Sequence, residues 1–143
     1  MKKMQIKIYD FLPEDAKMIR RKVFMEEQGF QDEFDDIDNF ALHMVLSEDD
    51  QPVATCRIYF SNDKNCYVIG RLAVYKGFRG KSYGREMIAA AENEIQRQHG
   101  MVIGLSAQKR VSEFYKRQGY QVIGEVYFDE GCPHIWMEKE IGN

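Results

Sequence analysis

Polar and apolar residues alternate from Met4 to Tyr9 with period two, which predicts a short strand with one covered face. Pro13 follows where a helix can begin, since the N–H it lacks would have no partner there. Ala16, Ile19, Val23 and Phe24 recur at helical spacing, and Gly29 offers the left-handed residue on which such a helix stops. Residues 32–38 read Asp-Glu-Phe-Asp-Asp-Ile-Asp, too charged for a core strand; the pattern predicts a lid or rim with a solvated face, anchored by Phe34 and Ile37. Strand-like runs at 41–47, 52–61 and 66–74, separated by turn-rich segments, predict an antiparallel meander.

Met87, Ile88, Ala91 and Ile95 mark one face of a long helix over 83–99, which ends at Gly100 and leads into a buried-type strand at 101–106. Strand, helix and strand there form a βαβ crossover. A shorter helix over 109–118 closes on Gly119, and strands at 120–128 and 135–140 flank the turn at 129–133. The order predicts one domain over residues 1–143 of α/β class, a mixed and mostly antiparallel central sheet flanked by helices. If the strand ending at Val74 and the strand after Gly100 part at one end, they leave a splayed cleft for an extended ligand.

Composition narrows the chemistry. With 44% apolar and 13% aromatic residues, the 143-residue chain can fill a core. A net charge of −3 with dispersed basic residues argues against nucleic acid as a partner. Cys56, Cys66 and Cys132 are odd in number and lack metal-ligand spacing. No signal peptide or membrane-length apolar run is visible, so the expectation is a cytoplasmic protein with free thiols, no metal and no membrane partner.

The segment Arg79-Gly80-Lys81-Ser82-Tyr83-Gly84 lies between a predicted strand and a helix start. Small residues there let successive backbone N–H groups converge, the helix adds its positive end, and Arg79, Lys81 and Arg85 add charge. A pyrophosphate would fit. An ordinary βα turn with solvated cations is the alternative on these residues alone.

Arg71-Leu72-Ala73-Val74 followed by that hexad resembles the acetyl-CoA motif of the GNAT N-acetyltransferases, Arg/Gln-x-x-Gly-x-Gly/Ala. Arg79 and Gly84 match; Ser82 stands where the family usually has glycine. Ser106-Ala107-Gln108 and Phe114-Tyr115-Lys116-Arg117-Gln118-Gly119-Tyr120 resemble the second half of the pattern. Val23 to Gln28, Asp38, His43 and the ending Phe128 to Met137 are similar to the ElaA/YjcF-like branch, whose members commonly have isoleucine where this chain has Cys132.

The resemblance implies transfer of an acetyl group from acetyl-CoA, as cosubstrate, to the primary amine of a small-molecule acceptor. The backbone of residues 79–84 would dock the pyrophosphate, Leu72, Ala73 and Val74 would pair with the pantetheine arm, Gln108 would border the coenzyme, and the Val74 N–H would receive the oxyanion. Tyr115 is the candidate general acid, since a phenol can protonate a departing thiolate; helix packing is the alternative. His134 is a candidate base, with a structural histidine as alternative. Glu27 and His43 are candidates at the acceptor side, each with a structural alternative. Arg57 and Arg71 either pair with carboxylates or line the acceptor site. A homodimer through the C-terminal strands is a further expectation. The competing function is a non-enzymatic module that binds acyl-CoA and regulates a partner.

Overall fold

The structure, a computed structural model, describes residues 2–142. Its strands are β1 (Met4–Tyr9), β2 (Leu42–Glu48), β3 (Gln51–Ser61), β4 (Cys66–Val74), β5 (Val102–Gln108), β6 (Gln121–Val122), β7 (Tyr127–Asp129) and β8 (Cys132–Glu140). They form one sheet in the order β1-β2-β3-β4-β5-β8-β6, with β7 also on β8. β1 to β4 are an antiparallel meander, and only β4 and β5 run parallel. The crossover between them is α2 (Tyr83–Arg97). The mixed, mostly antiparallel sheet predicted from the pattern is therefore present.

Each face of the sheet carries a helix. Met87, Ile88, Ala91 and Ile95 of α2 pack with Met44, Cys56, Ile58, Ile69 and Ile103 in the larger core. On the other face Ile19, Val23 and Phe24 close over Ala73. This double cover explains the nearly unbroken burial of β2 and β3, where alternation would have implied one wet face. Gly104 of β5 lets Trp136 lie flat on the strand: a Cβ there would stand 2.2 Å from the indole Cζ2.

Three elements depart from expectation. The first helix is α1 (Glu14–Arg20) continued by a π-helical stretch, Arg21–Glu27, whose wider turns carry Glu27 and Gln28 around to the central cleft. The short helix is a 3-10 turn, Lys109–Val111, followed by α3 (Ser112–Arg117). The strand predicted at 120–128 is split. Five steps from Val122 to Tyr127 face three from Met137 to His134, so two residues loop out around Gly124, whose φ is +88°.

The acidic segment is a solvated rim only in part: Asp32, Asp35 and Asp36 are exposed, whereas Glu33 and Asp38 are buried. Asp36–Asn39 forms a 3-10 turn closed by a capping box, and three of the carboxylates meet three arginines. Arg20 Nε and Nη1 donate to Glu33 Oε2 and Asp38 Oδ1, each at 2.8 Å. Arg57 Nη1 reaches Asp35 Oδ1 at 2.6 Å and Asp38 Oδ1 at 2.8 Å. Arg71 Nε lies 3.0 Å from Glu33 Oε2 and its Nη2 lies 3.3 Å from Asp35 Oδ2. Burial opposes ionisation of Asp38, but the hydrogen bonds and charge of Arg20 and the bond from Arg57 outweigh it and hold this carboxyl well below the usual range. Glu33 goes the other way: burial wins over Arg71 and Arg20 and raises it.

His43 supports this segment from beneath. It is buried, and its Nε2–H donates to Asp38 O at 3.0 Å. Burial lowers its pKa from 6.5, outweighing the pull of Asp38. Below about pH 6.5 the unfolded chain thus binds a proton at His43 that the folded protein resists. Stability should be full above that pH and fall as pH drops below it towards the lowered value of His43 in the folded protein, and His43→Asn should flatten this part of a melting-temperature profile. An unchanged slope in that variant would remove His43 as its source.

Candidate active site

β4 and β5 are hydrogen-bonded partners only at Tyr67 with Ile103 and Val68 with Gly104. Beyond these pairs the two strands run apart and leave a cleft of about 1000 Å³. A second irregularity lies on the other edge of β4. Thr55 faces Ala73 while Arg57 faces Gly70, so β4 holds one residue more than β3 across this interval. That bulge contains Arg71 at φ +51°, left-handed for a non-glycine residue. Glu33 holds it there: the Arg71 Nε and Nη2 groups donate to Glu33 O at 3.1 and 3.0 Å.

The direction of the β4 amides follows from one bond. Tyr75 N–H donates to Val53 O at 3.0 Å, on the β3 side. Alternation then turns the Val74 N–H and C=O to the opposite edge, where β5 has left. Val74 C=O is reached there by Arg79 Nε at 3.0 Å. The Val74 N–H is consequently a backbone donor facing the cleft, the geometry an oxyanion or a ligand amide requires.

Arg79 and Gly84 both line the cleft, whereas Gly80 to Tyr83, which join them, are not among its lining residues. Gly80 and Ser82 have φ of +81° and +68°, so the loop reverses twice before α2 begins. Such alternation makes successive N–H groups converge on one anion-sized space, next to the unpaired first-turn amides of α2. The left-handed backbone at Ser82 is the physical reason that glycine suits this position. Lys81 lies over the Phe78 ring at 5.4 Å. Only the main chain of Tyr83 is available to a ligand, because its side chain is buried and its hydroxyl donates to Glu48. Gly84 meets α3: a Cβ there would be 3.3 Å from Phe114 Cζ.

Leu72, Ala73, Val74, Gln108, Tyr115 and His134 line the same cavity, and Glu27 stands at its edge. His43 lies outside it. Tyr115 packs edge-on to Phe114 and Tyr120 at centroid distances of 5.0 and 6.2 Å. Burial, with Cys56 nearby, pushes its hydroxyl above the ordinary phenol value, so it keeps its proton throughout the physiological range. His134 is fixed by its Nδ1–H, which donates to Cys132 O at 2.8 Å, and by stacking on Tyr127. In the neutral ring that bond leaves Nε2 as the lone-pair nitrogen.

Some cleft residues were not singled out from the sequence. Phe30 packs edge-on to His134 at 6.4 Å. Glu130, in the β7–β8 turn, accepts from the N–H groups of Gln31 and Asp32 at 2.9 and 3.1 Å. Gln108 Nε2 donates to Gln28 Oε1 at 2.7 Å. These contacts join strands of the right half to the segment after the π-helix, and no local pattern announces them. Arg57 and Arg71 pair with carboxylates, the first of their two expected roles, and both also line the cleft.

The chain is similar in sequence and fold to known proteins. A family model described as an acetyltransferase (GNAT) domain matches residues 10–141. ElaA of Escherichia coli K12 is 32% identical over 128 residues, covering 86% of this chain and 84% of that protein. The crystal structure of Escherichia coli ElaA aligns with a TM-score of 0.82 at 29% identity, over 98% of this chain and 100% of that one. YjcF of Bacillus subtilis, named as an uncharacterized N-acetyltransferase, is 30% identical over 129 residues, 88% of this chain and 91% of its own. An acyl-CoA N-acyltransferase from Pseudomonas aeruginosa has a TM-score of 0.82 at 25% identity, covering 97% and 99% of the two chains.

The left-handed serine yields a direct test. Ser82→Gly should raise stability in chemical denaturation by about 1 kcal/mol without weakening ligand binding at the loop. A loss of stability would show that the Ser82 backbone carries no such strain.

Proposed function

Since the chain belongs to the GNAT acetyltransferase family, we propose that it transfers the acetyl group of acetyl-CoA directly to a primary amine of a small-molecule acceptor. The observation that carries this reading is the free edge of β4. An extended pantetheine arm can pair with that edge as an added strand would, with its pyrophosphate over residues 79–84. The thioester carbonyl then lies against the Val74 N–H.

The amine nitrogen attacks the carbonyl carbon, and the Val74 N–H stabilises the oxyanion as it develops. His134 Nε2 accepts the proton released by the amine. As the tetrahedral intermediate collapses, the carbon–sulfur bond breaks and the Tyr115 hydroxyl donates its proton to the thiolate. The raised affinity of Tyr115 for its proton keeps that proton in place at neutral pH. Both residues regain their working forms by exchange with solvent. The rings of Phe24, Phe30, Tyr59, Phe114 and Tyr115 line the cavity.

Tyr115→Phe separates this mechanism from mere binding of acyl-CoA. It should lower kcat by about a hundredfold while leaving the affinity for CoA within about threefold of the parent protein. Unchanged turnover across a panel of amines would take the proton-donor role from Tyr115.

A further inference from the structure

The one strong cation of the phosphate loop that lines the cleft is already engaged. Arg79 Nη1 and Nη2 hold Glu27 Oε2 and Oε1 at 3.0 and 2.9 Å, a two-pronged pair across the mouth of the cleft. Its Nε is on Val74 O at 3.0 Å. The guanidinium thus has an inner nitrogen on the coenzyme strand and two outer nitrogens on a carboxylate from the far wall. Both side chains keep contact with water, Arg79 at 41% and Glu27 at 28% exposure, so neither is locked in by packing. The pairs of Arg20 with Glu33 and Asp38 and of Arg57 with Asp38, in contrast, are sealed.

A pyrophosphate seated on the amides of residues 79–84 brings more charge and more acceptor oxygens to Arg79 than one carboxylate can. Resting on the acetyl-CoA reading above, we propose that Arg79 is a counter-ion shared between coenzyme and acceptor. With Nε kept on Val74 O as a pivot, its outer nitrogens exchange Glu27 for phosphate oxygens. Glu27, released into the cleft, then binds the ammonium form of the incoming acceptor. Coenzyme and acceptor are coupled by this one exchange: each favours the state in which the Arg79–Glu27 pair is broken, so each raises the affinity of the other. A cationic acceptor is favoured once the coenzyme has bound, since in the free protein the carboxylate that would attract it is neutralised by Arg79.

The exchange predicts a gain of function that structural damage cannot imitate. Glu27→Gln removes the competitor for Arg79, so calorimetry with CoA should show affinity about two- to fivefold tighter than the parent protein, the range expected for an exposed ion pair. In the same variant the KM for the acceptor should rise by about tenfold. In an Arg79→Met background, where CoA binds more weakly, adding Glu27→Gln should give no further gain. Unchanged or weaker CoA binding by Glu27→Gln, or a gain that persists without Arg79, would overturn the shared counter-ion. Absence of CoA binding by the parent protein would instead overturn the acetyl-CoA reading, and this inference with it.

Discussion

Two residue pairs are all that hold β4 to β5, and everything the site can do follows from where that pairing stops. A strand normally satisfies its amides on both edges; β4 does so on the β3 side, while beyond Val68 its other edge is no longer paired with β5 and faces the cleft. The open edge survives because the bulge at Arg71 sets the direction of Leu72 to Val74, and the bulge survives because Arg71 is tied to the carbonyl and carboxylate of Glu33. A charge network that looks remote from chemistry therefore maintains the geometry of a backbone donor.

That network also accounts for the position of the acidic segment. Taking Glu33 and Asp38 out of water would be prohibitive without partners, and Arg20, Arg57 and Arg71 arrive from α1, β3 and β4 to meet them and the exposed Asp35. The segment is fastened to three elements at once. Its far end is fastened again by Glu130 on the amides of Gln31 and Asp32. The wall of the cleft opposite the coenzyme edge is thus made of irregular chain held by ions and hydrogen bonds, while the coenzyme side is made of regular strand and helix. Enzymes of one fold can keep the regular side and vary such a wall.

What was legible in the sequence divides along the same line. Period-two and helical repeats located β1, the meander and α2, because these elements are set by burial of regular faces. The hexad at 79–84 pointed to its loop, and Tyr115 and His134 came from the family pattern and line the cavity. Long-range pairing was not legible. The run at 32–38 reads locally as a wet, repulsive stretch, and only Arg57 and Arg71, cations inside otherwise apolar strands, hinted that its charges are answered elsewhere. The π-helical turn at 21–27 escaped because over two turns its spacing differs too little from that of an α-helix. The bulge escaped because the left-handed residue is Arg71, not its neighbour Gly70.

Hydrogen exchange at single amides tests the open edge most directly. In the free protein the Val74 N–H should exchange quickly while Tyr75, bonded to Val53, is protected; saturating CoA should slow Val74 and leave Tyr75 unchanged. An amide at Val74 that is already protected in the free protein, or one that remains fast when CoA is bound, would contradict the account.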